Sequence, residues 1–344
     1  MSVAEQQTPV ESGRRAFREE LREIARDTAW RWRLASGRAD LPDATPADGP
    51  DPYGNPDPDW IRIDWREHLR TTDVVGAQTN YVELGDGPPV LFLHGLGGSW
   101  QNWLENLPHF SRTHRVIALD FPGFGASPMP PWQLSIPAYG RFLRDFCERV
   151  GVERVSVVSN SMGGFIATEL AINEPDRVDD LVLVSAAGIT WARARREPAE
   201  MAARMVRAAA PLALRFELSA IRRPKIRRQL FSGLWYKPNA LRRELIWEQI
   251  VPALQSPGTF DAMRTLVGYD IRHRLQEIEV PTLVVWGRQD GVVPVPAALT
   301  YKERIGDNAE LVIFDRCGHM PELERPVRFN RLVEDFLKRA GTLD

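Results

Sequence analysis

The sequence predicts an α/β fold, with a mostly parallel sheet covered by helices on both faces. Three observations carry that expectation. Short apolar runs recur along the chain at PPVLFLHG (88–95), HRVIALDFPGFG (114–125), RVSVVSNS (154–161), VDDLVLVSAAG (178–188), PTLVVWGRQD (281–290) and AELVIFDRCGH (309–319). Helix-patterned stretches separate them, and each run ends in a polar or glycine-containing turn. Strands buried on both faces read as continuous apolar runs, and alternation with helices is the signature of parallel crossovers.

Residues near 14–37 carry helical spacing, with Phe17, Leu21, Ile24 and Ala25 on one face. LPDATPADGPDPYGNPDPD (41–59) is dense in Pro, Asp and Gly and reads as an extended linker. WIRIDWREHLRTTDV and AQTNYVELG then read as two half-exposed strands ahead of the first buried run. NWLENLPHF, SIPAYGRFLRDFCERVG and MGGFIATELAINEP are the intervening helices, and PVRFNRLVEDFLKRAG closes the chain. Cys147 falls in the second of these and reads as core. Between Gly188 and about Asp270 the alternation stops. This stretch is helix-patterned, rich in Lys and Arg, and carries Trp191, Phe216, Phe231, Trp235, Tyr236 and Trp247. An insertion there, over the C-terminal ends of the strands, would form a lid. The organisation expected is 1–60 as N-terminal helix and linker, 61–188 and 271–344 as two parts of one core, and 189–270 as a helical cap.

The chain has 344 residues, 43% hydrophobic and 26% charged, with a net charge of −2. That balance is ordinary for a globular protein and gives no reason to expect a nucleic-acid partner. No apolar run reaches the ~20 residues needed to span a bilayer. Two cysteines are too few for a disulfide framework. SGRRAF superficially resembles a twin-arginine export signal, but the charged REELREIARDTAW follows where an apolar segment is required. A cytoplasmic location is expected.

The chemistry centres on SNSMGG (159–164), which reads as a strand running into a helix through a tight turn. A serine presented at such a turn becomes a nucleophile when a base removes its proton and a third group orients the base. Small residues are needed two positions before and after it. Ser159 would have Val157 and Ser161 there, whereas Ser161 has Ser159 and Gly163, so Ser161 is the candidate. An ordinary strand–turn–helix is the plainer alternative. His319 and Asp290 each follow a later strand, giving the order Ser161, Asp290, His319, all at C-terminal strand ends. Asp315 is the fallback acid, Asp120 reads as structural, and His94 as support for the HGLGG turn. His68, His109, His114 and His273 lie in polar, surface-like contexts. The backbone N–H groups of Leu96 and Met162 are the expected oxyanion donors. HGLGG lacks a phosphate-binding fingerprint and there is no HExxH-type metal pattern, so no cofactor or metal is expected.

With these motifs in this order, the chain resembles the α/β-hydrolase superfamily from about residue 75 to 340, apart from the insertion. The resemblance implies an eight-stranded α/β-hydrolase core with a helical cap at 189–270. Serine at 161 argues against branches that use an aspartate nucleophile. Trp100-Gln101-Asn102 and Asn160-Ser161-Met162-Gly163-Gly164 look like the carbon–carbon bond hydrolases of meta-cleavage pathways, whose related asparagines contact substrate. Asn102, Asn160, Trp100 and Met320 are therefore the expected substrate-binding residues. HGLGGSW departs from the proline-containing loop of that branch, Met320 stands where it usually has tryptophan, and Ser159 replaces a glycine. The leading expectation is hydrolysis of carboxylic esters of small to medium hydrophobic molecules. Carbon–carbon hydrolysis of vinylogous diketones is the alternative, and a non-catalytic ligand-binding protein a further one.

Overall fold

The structure is a computed structural model that describes residues 41–190 and 223–340. The helix expected near 14–37 and the stretch 191–222 of the expected cap lie outside the described residues. Eight strands form one sheet in the order β1-β2-β4-β3-β5-β6-β7-β8. β1 (Leu69–Val74) and β2 (Ala77–Leu84) form an antiparallel hairpin, and β2 also pairs antiparallel with β4. Its turn, Val75-Gly76, has φ of 51° and 73°, matching the strand twist. β3 (Pro89–Leu93), β4 (Arg115–Leu119), β5 (Val155–Asn160), β6 (Val178–Val184), β7 (Thr282–Gly287) and β8 (Ala309–Phe314) are parallel.

One expected strand starts later than its sequence suggests. WIRIDWRE forms two 3-10 turns, Asp59–Arg62 and Trp65–Glu67. Trp60 Nε1 donates to Glu105 Oε1 and Trp65 Nε1 to the Trp60 carbonyl, both at 3.0 Å. The indoles thus fold back onto the core, and their polar edges select turns over an extended ribbon.

The helices are α1 (Leu107–Phe110), α2 (Ile136–Arg149), α3 (Met162–Asn173), α4 (Pro224–Phe231), α5 (Arg243–Gln255), α6 (Thr259–Thr265), α7 (Pro296–Ile305), α8 (Pro321–Glu324) and α9 (Pro326–Ala340). Strand residues alternate between two cores. Leu91, Leu93, Val157, Leu183 and Val284 face α2, α3 and α7, while Val90, Phe92, Val158, Val184 and Val285 face α1 and α9. Cys147 is buried in the first core, as its helical spacing suggests. Each large side chain buried this way contributes about 1.5–3 kcal/mol.

Residues 42–58 have no regular secondary structure, yet they are pinned to the core. Thr45 N–H donates to the Ile313 carbonyl at 2.8 Å and Thr45 Oγ1 accepts from Ile313 N–H at 3.0 Å. Gly54 N–H donates to the Glu324 carbonyl at 2.8 Å. The presumed linker is an extended strap. Among the described residues no helix is long and apolar enough to cross a membrane. Strand order places β3 beside both β4 and β5, so the loops after β3 and β5 diverge at a topological switch point, where open α/β sheets hold ligands.

Candidate active site

Ser161 sits between β5 and α3 with φ 53° and ψ −115°. A non-glycine residue held there costs about 1–3 kcal/mol, and such strain persists only where surrounding structure enforces it. The enforcement is visible. Ser161 N–H donates to the Val184 carbonyl at 2.9 Å, and its own carbonyl accepts from Ala187 N–H at 2.9 Å and Phe165 N–H at 3.2 Å. Gly163 is obligatory, because a Cβ there would lie 2.5 Å from the Leu93 carbonyl oxygen and 2.6 Å from that of His94. Ser159 takes the other small position. Its Oγ donates to the Val182 carbonyl at 2.9 Å, so the hydroxyl that replaces the expected glycine is absorbed by the neighbouring strand.

The HGLGG turn stands against this elbow, and a Cβ on Gly95 would lie 3.1 Å from Ser161 Cβ. Gly98 N–H closes the turn onto the Gly95 carbonyl at 3.0 Å. Leu96 N–H has no hydrogen-bond partner among the described residues, and Met162 N–H, first in α3, has no intrahelical acceptor. His94 Nδ1 lies 2.7 Å from the Gly95 carbonyl, and its Nε2 accepts from Phe121 N–H at 2.9 Å. This fixes a neutral ring with the proton on Nδ1, and complete burial pushes the imidazole down to about 4. His94 is therefore a strut for the turn. Asp120 is another: it accepts from Trp100 N–H, Ala126 N–H and Asn80 Nδ2, each at 2.8 Å, while burial raises its carboxyl to about 6.

Asp290 and His319 meet across the loops after β7 and β8. His319 Nδ1 is 2.8 Å from Asp290 Oδ2, with both side chains buried. Asp290 Oδ1 accepts from Val292 N–H at 2.8 Å and Val293 N–H at 2.9 Å, which anchors the carboxylate and leaves Oδ2 for the ring. With the proton on Nδ1, Nε2 is left as the acceptor. Gln289 ties the two loops together, donating its N–H to the Cys317 carbonyl and accepting Cys317 N–H on Oε1, both at 2.9 Å. Asn160 Nδ2 donates to the His319 carbonyl at 3.3 Å and to that of Val184 at 3.4 Å, joining the serine elbow to the histidine loop. Asp315, the fallback acid, is half exposed and faces Arg288, Arg316 and Gln289. It does not contact His319.

The four residues expected at substrate are all buried with protein partners. The Trp100 ring packs on Trp65 with centroids 5.0 Å apart, and Met320 Sδ accepts from Trp235 Nε1 at 3.3 Å. Asn102 Nδ2 donates to Gln249 Oε1. Asn160 bridges the loops as described.

Two groups escaped the sequence reading. Gln249, on α5, also donates from Nε2 to the Gln101 carbonyl at 2.9 Å, so a helix of the insertion reaches the turn after β3. Glu324 is fully buried, and its Oε1 accepts from Gly318 N–H at 2.8 Å and Met320 N–H at 3.4 Å. Oε2 accepts from Tyr236 N–H at 2.7 Å and Tyr53 Oη at 2.8 Å. Burial outweighs these donors and raises the carboxyl to about 7. The available signals were an acid following Leu323 in the proline-bounded PELERP and a lone aromatic in PDPYGNP.

A family model described as the α/β hydrolase fold matches residues 88–326. A 2-hydroxy-6-oxo-6-phenylhexa-2,4-dienoate hydrolase from Comamonas testosteroni is 33% identical over 273 residues, which is 76% of this chain and 91% of that protein. Among solved structures, a meta-cleavage product hydrolase from Pseudomonas fluorescens IP01 aligns with a TM-score of 0.63 at 27% identity, covering 79% of this chain and 98% of that one. A bacterial membrane phospholipase A aligns with a TM-score of 0.63 at 27% identity, covering 79% and 86%. The strained serine turn, the family match and these relatives agree, and the chain belongs to the α/β-hydrolase family.

Proposed function

We propose that the protein is a serine-dependent hydrolase that cleaves a carbon–carbon bond in vinylogous 1,5-diketone acids. The observation that carries this reading over ester hydrolysis is the 33% identity, over 91% of its length, to a 2-hydroxy-6-oxo-6-phenylhexa-2,4-dienoate hydrolase. The buried Asp290–His319 pair, whose loop Asn160 joins to the strained Ser161 elbow, supports the serine chemistry. The substrate reacts as its diketone tautomer, in which the enol proton has moved to the carbon beside the ketone. His319 Nε2 then takes the Ser161 Oγ proton as Oγ adds to the ketone carbon. The oxyanion that forms is met by the free N–H groups of Leu96 and Met162. It collapses with cleavage of the adjacent C–C bond. The electron pair passes into the conjugated dienolate, which leaves as the hydroxydienoate after taking the proton from His319. Water, deprotonated by His319, then releases the acyl group from Ser161 as a carboxylic acid.

Residues 189–270 would act as the cap, with Gln249 its link to the turn at 96–102. Ester hydrolysis on the same groups is the second reading, favoured by the likeness to a phospholipase A. Comparing kcat/KM for 2-hydroxy-6-oxo-6-phenylhexa-2,4-dienoate and for short p-nitrophenyl esters separates the two. A higher value for the dienoate supports carbon–carbon cleavage, and a higher value for the esters restores the ester reading.

A further inference from the structure

Three consecutive backbone N–H groups surround the histidine of the site, and each is captured from outside its own loop. Gly318 and Met320 donate to Glu324 Oε1, and His319 itself donates to the Leu234 carbonyl at 2.8 Å. Leu234 belongs to the segment 232–237 that follows α4, and that segment is held by the same carboxylate. Tyr236 N–H donates to Glu324 Oε2. The Tyr53 hydroxyl closes the arrangement. It donates to Glu324 Oε2 and accepts from Lys237 N–H at 2.7 Å. Arg325 lies over the Tyr53 ring at 5.2 Å from its centroid. One carboxylate side chain therefore joins the histidine loop, the segment after α4 and the strap at 42–58.

Every group that faces the Glu324 oxygens is a donor. A carboxylate suits such a set, since it accepts on both oxygens, whereas an amide or a carboxylic acid must present a hydrogen to one of them. Buried donors left without an acceptor cost about 1–3 kcal/mol each. Two of those donors, Gly318 and Met320 N–H, flank His319, so relieving their share of the cost moves the 317–320 loop and with it the His319 ring. The Asp290 bond fixes the ring's Nδ1 edge, but the position of its backbone depends on the Glu324 and Leu234 contacts.

We infer that Glu324 and Tyr53 are positioning residues for His319, so that the strap preceding the hydrolase core is a working part of the site. This rests on the serine-hydrolase reading for its kinetic consequence, while its structural consequence stands without it. Glu324 holds the loop that carries the base, and Tyr53 holds Glu324.

The test uses the full chain as wild type, Tyr53→Phe, Glu324→Gln and Thr45→Val. Thr45→Val breaks a strap contact made to Ile313 in β8 rather than to Glu324 or the histidine loop and serves as the structural control. Steady-state kinetics on the dienoate and on p-nitrophenyl esters, thermal unfolding, and the downfield proton NMR signal of the His319 Nδ1–H are recorded for each. Tyr53→Phe should lower kcat by about tenfold with KM within about twofold, since small misplacements of a catalytic group act on turnover. It should also shift or broaden the Nδ1–H signal. Glu324→Gln should do both more strongly, whereas Thr45→Val should lower the melting temperature and leave kcat and the signal as in wild type. Should Glu324→Gln fail to fold, Tyr53→Phe decides alone. Wild-type kcat and an unchanged signal in folded Tyr53→Phe would overturn the inference, as would a parallel fall of kcat in Thr45→Val. If wild type turns over neither substrate class, the functional reading fails, while the NMR comparison still decides the role of Glu324 and Tyr53.

Discussion

The Gln249 carboxamide faces that of Asn102, with Asn102 Nδ2 donating to Gln249 Oε1 at 2.5 Å. Both side chains are buried, and Gln249 completes the pair by donating to the Gln101 carbonyl. A helix between β6 and β7 is thereby fastened to the turn that presents Leu96 N–H, and this coupling yields the first prediction. Gln249→Ala leaves an amide and a carbonyl without partners, at a cost of about 1–3 kcal/mol each. Thermal unfolding should show the loss of stability. Kinetics should show kcat reduced by about tenfold, because the Leu96 N–H proposed as an oxyanion donor is less well ordered. Wild-type kcat in a destabilised Gln249→Ala would mean that the turn holds its shape without the helix.

The serine two positions before Ser161 is tolerated because Val182 accepts its hydroxyl. Ser159→Gly should therefore keep activity within about threefold while losing about 1 kcal/mol, the worth of one net hydrogen bond. Ser159→Val forces a methyl against that carbonyl and should lower kcat by well over tenfold, as overpacking distorts the elbow. Urea unfolding and steady-state kinetics of both variants check this. Full activity in Ser159→Val would show that the position is roomier than the contacts indicate.

His94 gives a pH signature with a definite sign. Its native imidazole is held at about 4, below the ordinary 6.5 of the unfolded chain. As pH falls from 6.5 towards 4 the unfolded state binds a proton that the native state refuses, so stability contributed at this position is lost on acidification and regained as pH rises. The full effect is about 3 kcal/mol. The unfolding free energy of His94→Gln, measured beside wild type between pH 7 and 4.5, isolates it from the buried carboxyls, which titrate in both proteins. Wild type should lose more than the variant by about 2–3 kcal/mol over that range. Parallel curves would contradict the buried, neutral assignment.

The strands were legible because each parallel strand is apolar on both faces, whereas the sheet order, with β4 on the far side of β3, leaves no mark in that pattern. Ser161 was legible because the elbow demands small flanking residues, and the short-range demand at Gly163 is met in the structure by two carbonyl oxygens. Asp290 and His319 were legible because each lies in the loop after one of two successive strands. The rest depends on long-range pairing that leaves little local mark. Trp60 and Trp65 turn inward to partners that sequence spacing does not reveal, so the first part of an expected strand forms two 3-10 turns and β1 starts only at Leu69. The strap read as a linker because its proline and aspartate content hides a tyrosine whose partner lies 271 residues away. Gln249 sits in the region with the weakest pattern, and Asn160, expected at substrate, is occupied in joining Ser161 to the His319 loop.

The central claim is that Ser161, served by His319 and Asp290, cleaves a carbon–carbon bond. Its most direct test is the visible absorbance of 2-hydroxy-6-oxo-6-phenylhexa-2,4-dienoate in the presence of wild type and of Ser161→Ala. The account predicts rapid loss of the dienolate colour with wild type, formation of benzoate, and a rate with Ser161→Ala lower by a factor of about 10³ or more. Equal rates with the two proteins, or no loss of colour with wild type, would contradict it.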